Sequence, residues 1–296
     1  MVDSGQRRTG RVAVGVGVAI GLLALIFVLV VHFTSPSPDI VSPAVPVKEA
    51  PTDWVAEPQP PEPTIGSAPW SSTGSLALSV DGRVFGDETY QLDVSAGGAS
   101  LSSTGRFWFK VVVATVHVVF QQQWEGTADL RPASYSLHLD APLGQGQEIV
   151  GRLDSDRYVV RRNGAESVIS VTPERTVVLG MFSTYAIVPL LFAEQEVDGV
   201  ATFDALVFGG PPGAARGESG DLPTVVVERA GTVAVWIDGL SIAVDRLRVR
   251  SPYGDSMLYA RGREFLALTA GTADRPLVVY RSDYFPDGFS LTGAGG

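Results

Sequence analysis

The chain has no cysteine among its 296 residues. Disulfides, thiolate zinc sites, a cysteine nucleophile and a lipidated amino-terminal cysteine are excluded for this sequence, so its compartment has to be argued from other features. Histidine is nearly as scarce, with three: His32, His117 and His138. His32 borders a long apolar run, where an amphipathic ring is ordinary. His117 lies in a stretch apolar on both faces and is expected to be a buried neutral ring with one hydrogen bond. His138 shares a face with Ser134, Ser136 and Asp140, the solvated side of a strand. Basic residues are also outnumbered, 22 against 32 acidic ones, for a net charge of −10. An acidic body repels phosphate backbones, which argues against nucleic acid as a partner.

Motifs that carry chemistry are thin as well. Gly254-Asp255-Ser256-Met257 resembles the opening of some esterases, but no histidine follows His138 to serve as base. Gly217-Glu218-Ser219-Gly220 lacks the strand and helix that flank a nucleophile elbow. Asp154-Ser155-Asp156 offers too few oxygens for calcium and reads as a hairpin tip. No catalytic residue, metal or cofactor is assigned, and the chain is read as non-enzymatic.

What is present begins with Val12 to Val31, VAVGVGVAIGLLALIFVLVV, twenty residues without a charge. At about 1.5 Å per residue the run spans about 30 Å, a bilayer core, so a transmembrane helix is predicted over 12–32. The rival reading is a cleaved signal peptide, whose apolar region is normally shorter, about 7 to 15 residues. Arg7, Arg8 and Arg11 precede the run and the next basic residue after it is Lys48. Residues 1–11 are therefore expected in the cytoplasm and the remainder outside, the arrangement of a single-pass signal-anchor protein of a bacterial inner membrane with a periplasmic or extracellular domain. Gly17 and Gly21 form a GxxxG pattern that permits close helix pairing and also arises by chance in a Gly/Val-rich run. Residues 33–74 hold ten of the 20 prolines. Proline neither continues a helix nor donates to a strand ladder, so this stretch reads as an extended, disordered tether.

From 75 to 290 the pattern becomes short alternating runs punctuated by Gly, Asp, Asn and Pro, with a flexible tail at 291–296. Strands are predicted at 75–80, 89–95, 106–113, 114–128, 134–140, 147–153, 157–162, 166–171, 175–179, 200–208, 224–229, 232–237, 240–250, 256–260, 263–269 and 276–282. Asp81-Gly82, Asn163-Gly164 and Asp238-Gly239 suit two-residue hairpins, so consecutive strands are expected to neighbour one another in a meander. Residues 181–196, MFSTYAIVPLLFAEQE, lack alternation and suggest a short helix capped by Ser183 or Thr184, with Pro189 near a turn or kink. Residues 209–223 read as a surface loop. The fold class is thus mainly β: a curved, antiparallel open barrel or sandwich-like sheet with one short helix, behind a single transmembrane helix.

RFWFKVVVATVHVVFQQQWEG, residues 106–126, is apolar on both faces, so each side of the sheet needs a cover. Alternation places Trp108, Val112, Val116 and Phe120 on one face. Together with Phe182, Tyr185 and Leu190 of the helical segment they are the candidate lining for an apolar or amphiphilic, lipid-like ligand. Leaving several hundred Å² of such surface wet costs on the order of 10 kcal/mol, comparable to the stability of a domain. Either the sheet folds over on itself or a ligand fills the hollow. Arg246, Arg248 and Arg250 share one strand face and are candidate contacts for lipid head groups or an acidic partner; the plainer reading pairs them with Asp245, Asp255 and Glu264 on a solvated face.

GTADLRPASYSLHLDAP (126–142), RLDSDRYVVRRNG and ERTVVLGMFSTYAIVPLLF place an acidic turn, a Tyr-led returning strand, a hairpin and an apolar helix in order. Over roughly 85–285 this resembles uncharacterised bacterial envelope domains with an open half-barrel sheet, similar in shape to the lipoprotein carriers and the outer-membrane lipoprotein receptor. The resemblance implies a concavity suited to acyl chains or an apolar peptide. Unlike the soluble carriers and the cysteine-anchored receptor, this chain has a helix anchor and no cysteine, which fits a fixed binding role better than a shuttle. The alternative is a structural or scaffolding subunit of an envelope protein assembly with no small-molecule ligand.

Overall fold

The computed structural model of the chain describes residues 69–111, 114–142, 146–208, 222–237, 240–251, 254–272 and 275–289. The predicted membrane span, most of the tether, the 209–221 part of the predicted loop and the tail lie outside the described residues. Among the described residues no helix is long and apolar enough to cross a membrane.

Fifteen strands form one sheet. They are β1 Trp70–Val80, β2 Arg83–Ser95, β3 Gly98–Val111, β4 Ala114–Gly126, β5 Pro132–Asp140, β6 Gln147–Asp154, β7 Arg157–Arg162, β8 Ala165–Ser170, β9 Thr176–Leu179, β10 Val200–Val207, β11 Thr224–Ile237, β12 Leu240–Ser251, β13 Gly254–Arg261, β14 Glu264–Thr272 and β15 Arg275–Arg281. The order is β8 through β1, then β15 back to β9. Every sequential pair is therefore adjacent except β8 and β9, and β1 closes on β15. The meander expected from the sequence holds with one exception: β9 and β10 are parallel. A parallel pair requires a crossover, and here it consists of a 3-10 helix, Phe182–Ile187, running into α1, Val188–Gln195. The strands 224–229 and 232–237 are one strand, and β1 begins at Trp70, inside the stretch expected to be tether.

Asp81-Gly82 and Asn163-Gly164 both take positive φ at each position, the geometry that two-residue hairpins demand. Pro189 sits in the first turn of α1, where its missing N–H is harmless. The helix is buried from Val188 to Phe192, so it has no wet face to alternate with an apolar one.

The sheet curls so that its two edges approach one another, joined by residues 171–175, and remains open between them. Tyr135 of β5 stacks on Phe208, just past β10, with ring centroids 4.8 Å apart, and Phe208 also meets Tyr158 of β7 at 6.1 Å. Opposite walls thus touch across the interior. Phe120, Trp124, Tyr135, Tyr158, Phe208 and Phe265 are all fully buried there with the crossover helix. In this part of the interior the open sheet is covered by its own side chains. A second, smaller core lies on the opposite face of β11–β15, where Val233, Val235, Ile237, Val244 and Tyr259 are covered by Phe285, with Tyr284 and Phe289 packed against it.

That change of face is made by bulges. On β11, Ala230 and Gly231 together oppose the single residue Arg246, between the pairs Arg229↔Leu247 and Thr232↔Asp245. The extra residue inverts the alternation, so Val225 and Val227 point into the first core while Val233 and Val235 point into the second. Arg246 donates to the Ala230 carbonyl at 2.9 Å and holds the bulge.

Strand directions define two ends. β1 starts at one end, here the near end, where β15 also finishes and where the β11–β12 hairpin turns. The β1–β2 turn, the end of β3, the start of β4 and the start of the crossover lie at the far end.

Candidate functional site

The residues expected to line a hollow divide between the two faces of the sheet. Phe107 pairs with Val118 and Trp108 with His117. Partners directly opposite one another share a face, and the register sets each odd position of β3 against an even position of β4. Phe107 therefore faces inward with Val116, Val118 and Phe120, whereas Trp108 faces outward. Placing Trp108 in the lining is corrected on that ground. His117 is exposed rather than buried for the same reason. Its neighbour Trp108 lies under the Arg106 guanidinium, 5.7 Å from the ring centroid. Val112 lies outside the described residues.

Phe120, Phe182, Tyr185 and Leu190 do come together at the interior; Val116 is half-buried on the same strand face as Phe120. Phe120 and Leu190 are fully buried; Phe182 and Tyr185 are half-buried. Two further aromatics join them that alternation did not single out. Phe107 stacks on Phe120 at 5.0 Å, meets Phe182 edge-on at 6.4 Å, and lies 6.3 Å from Phe85, which sits at the bulge between β1 and β2. Phe85, Phe107 and Phe182 thus form a half-buried aromatic rim at the far end, continuous with the core beneath, against which Tyr185 also packs.

Glycines make room for these rings. A Cβ on Gly105, opposite Phe120, would lie 2.4 Å from that ring, and one on Gly86, opposite Phe107, 2.9 Å from it. A glycine facing an aromatic across an antiparallel pair is the signal that would have found Phe107.

Below the rim lies a buried polar cluster. Glu88, Ser103 and Gln122 occupy inward positions on adjacent strands β2, β3 and β4. Glu88 Oε1 accepts from Ser103 Oγ at 2.7 Å and from Gln122 Nε2 at 3.1 Å; its Oε2 accepts the Ser183 backbone N–H at 3.2 Å. Gln122 Oε1 accepts the Tyr135 hydroxyl and the Met181 N–H, each at 3.1 Å. The start of the 3-10 helix is therefore capped by a carboxylate from a strand 95 residues away in sequence. The expected Ser183 or Thr184 side-chain cap is absent: Thr184 Oγ1 instead accepts from Gly180 N and donates to the Met181 carbonyl. Burial without a cationic partner pushes the Glu88 carboxyl above its ordinary value, and burial likewise raises the Tyr135 hydroxyl. The cluster fastens the crossover to the sheet. The sequence signal was a polar residue at an inward position on each of three neighbouring strands.

A recess of about 100 Å³ lies between α1 and the sheet, lined by Pro189, Phe192, Leu247 and Ala260 with Arg229 and Asp245 at its edge. Small-molecule pockets run to about 300 Å³ and more, so an acyl chain does not fit. Arg229 covers Phe192 at 5.3 Å and pairs with Glu196 at 2.9 Å and Asp245 at 3.5 Å.

The arginines of β12 are interleaved with acids. Glu228 stands opposite Arg248 and bonds Arg250, Asp255 stands opposite Arg250, and Arg246 is engaged at the bulge. His138 is exposed on its strand, and Ser256 lies within β13 with its hydroxyl directed at the Val249 carbonyl. Among the described residues no group of three or more His, Asp or Glu side chains is placed to hold a metal ion.

No protein-family model matches the chain, and no curated protein matches it. Among solved structures it is similar to a beta-barrel-like protein of domain of unknown function DUF1849 from Brucella abortus, at 10% identity and a TM-score of 0.48, covering 73% of this chain and 97% of that one. It is also similar to a DUF1089 family protein from Pseudomonas aeruginosa, at 9% identity and a TM-score of 0.38, covering 74% of this chain and 95% of that one.

Proposed function

We propose that the chain is a single-pass, membrane-anchored envelope protein whose extracytoplasmic β domain binds an apolar or amphiphilic, lipid-like partner without catalysing a reaction. The observation that carries this reading is the rim of Phe85, Phe107 and Phe182, where apolar surface runs from the core to the far end of the sheet. Aromatic rings left half-buried retain area to bury against a partner. The anchor rests on the charge-free run from Val12 to Val31. The likeness to lipoprotein carriers noted in the sequence supports acyl chains as the apolar group. The scarcity of histidine and the engagement of Glu88 within its own cluster support a non-catalytic role.

A specific observation favours a second reading, a scaffolding subunit without a small-molecule ligand. The interior is filled by side chains from opposite walls, with Tyr135 stacked on Phe208. The two readings separate on purification. Extraction of the full chain from membranes with organic solvent should recover lipid in near-stoichiometric amount, and Phe107→Ala with Phe182→Ala should lose it. A lipid-free chain that co-purifies with envelope proteins in both forms would favour the scaffold and overturn the first reading.

A further inference from the structure

The β11–β12 hairpin extends past both of its neighbours. The last β10 partner on β11 is Glu228, opposite Val200, and the last β13 partner on β12 is Asp245, opposite Ala260. Residues 232–237 and 240–244 therefore stand clear as a two-stranded ribbon about 17 Å long. One face of that ribbon is covered: Val233, Val235, Ile237 and Val244 belong to the second core with Phe285. The tip is not. Trp236 is 54% exposed and Leu240 66% exposed, and both adjoin the turn, in the pairs Trp236↔Ser241 and Ile237↔Leu240.

Two further facts bear on what this tip meets. In a chain of net charge −10, the ribbon residues 232–237 and 240–244 carry no charge at all; Asp238, between them in sequence, is the one acid of the segment. Natural sheets guard projecting edges with charges, and this ribbon does the opposite. The ribbon also turns at the near end, where the chain enters the domain at Trp70. The segment leading back to Val12–Val31 leaves from that same end.

We propose that the β11–β12 hairpin seats in the interface of a lipid bilayer, with Trp236 at head-group level and Leu240 at the acyl boundary. Indole is amphipathic and favours that depth, and Leu240, on the opposite face of the ribbon and one pair nearer its tip, adds apolar area. Two side chains alone bind a membrane weakly, but a chain already tethered to that membrane holds the tip at high effective concentration, so weak docking suffices. The proposal rests on the membrane anchor of the reading above. It fixes an orientation: near end on the bilayer, aromatic rim away from it.

The absence of cysteine makes the test direct, since one introduced thiol carries one label. The full chain is reconstituted in phosphatidylcholine vesicles, with and without bromine on the acyl chains, and labelled with an environment-sensitive fluorophore in separate variants Leu240→Cys, Val84→Cys and Ala24→Cys. Val84 is exposed at the far end and serves as the control. The label at 240 should emit at shorter wavelength than the label at 84 and lose about half or more of its intensity to brominated lipid. Adding Trp236→Ser should remove most of that quenching. A label at 240 that behaves like the one at 84, or quenching that survives Trp236→Ser, overturns the proposal. So does a signal that tracks protein density and ignores bromine, which would mark a second copy as the occupant. The label at 24 reports the anchor separately: its lack of quenching would sink the anchor, while the hairpin is still decided by the signal at 240.

Discussion

The near end is held by one guanidinium, and removing the space it occupies should weaken the whole domain. Arg281 is almost wholly buried, and its side chain donates to Asp283 Oδ1 at 2.8 Å, to the Thr73 carbonyl at 2.9 Å, to the Tyr90 hydroxyl at 3.1 Å and to Glu264 Oε1 at 3.2 Å. It also lies 4.6 Å from the Tyr284 ring centroid. These contacts tie β1, β2, β14, β15 and the segment after β15 together where the chain enters the domain. The bonding holds the Asp283 carboxyl below its ordinary value, although its own partial burial opposes this. Gly74 is what lets the group in, since a Cβ there would stand 2.4 Å from Arg281 Nε and 2.7 Å from Cζ. Arg281→Met removes the bonds to the Thr73 carbonyl and the Tyr90 hydroxyl and leaves half-buried Glu264 and exposed Asp283 without this cation; at about 1.5 kcal/mol for each bond and under about 1 kcal/mol for each solvent-screened ion pair, the loss is about 3–5 kcal/mol. Gly74→Ala forces the guanidinium back by about 1 Å, breaking its bonds to Thr73 and Tyr90; at about 1.5 kcal/mol for each bond to a charged group, the loss is about 3 kcal/mol. For a domain of this size each kcal/mol moves Tm by about 2–4 °C, so drops of about 6–20 °C and 6–12 °C are expected. Urea and thermal unfolding of the chain in mild detergent, followed by tryptophan fluorescence, measure both. A Gly74→Ala variant within about 0.5 kcal/mol of the parent would refute the reasoning, because that is the range of a surface change.

Glu88 gives a stability trend of unusual sign. Its carboxyl is raised on folding by burial, so the neutral form stabilises the domain fully below its ordinary value of 4.5, and that contribution is lost as pH rises through the folded value. The urea midpoint of the parent relative to Glu88→Gln should therefore fall with rising pH, and a flat or rising difference would contradict it. Phe107→Ala should destabilise by about 2–3 kcal/mol, somewhat less than a full core truncation, and Trp108→Ala by under about 1 kcal/mol. The reverse order, read from unfolding midpoints, would restore the simple alternation. Gly105→Ala meets not only the Phe120 ring but the Asp87 carbonyl at 2.6 Å, which cannot swing away, so a loss of about 1–3 kcal/mol is expected in the same assay.

Much of the architecture was legible because each strand is bounded by residues with a backbone reason to be there. Asp81-Gly82 and Asn163-Gly164 specify their hairpins by themselves, and the failure of alternation after Gly180 marks the crossover. What was not legible is phase. Counting odd and even positions straight through 106–126 put Trp108 beside Phe120, yet the β3–β4 register re-phases the count, and bulges do so again within β11 and between β13 and β14. A bulge is set by pairing geometry over strands distant in sequence, so no local pattern announces it. The first turns of β2 and β3 were missed for another reason. GASLSSTG is polar on one face and small on the other, and its inward positions are taken by Leu101 and Ser103, the latter serving Glu88. The cap on the crossover could not be read locally at all, because its carboxylate comes from β2.

Where Tyr135 stacks on Phe208 the interior is occupied by the chain's own side chains, and the rim and the hairpin lie at opposite ends. If the hairpin holds the near end on the bilayer, the rim of Phe107 and Phe182 faces a partner arriving from outside and is kept from lipid in its own membrane. On the proposed anchor and tether, releasing the hairpin would free the domain to turn over, since an extended chain reaches about 3.1 Å per residue. Trp236→Ser should then raise the rate at which a fluorescent phospholipid supplied in the same vesicle reaches the rim, with no change when the lipid is offered in separate vesicles. The comparison is run with Phe107→Ala as the variant that should abolish transfer from either source. Equal rates for the parent and Trp236→Ser from the home vesicle would break the link between the docked hairpin and the outward-facing rim.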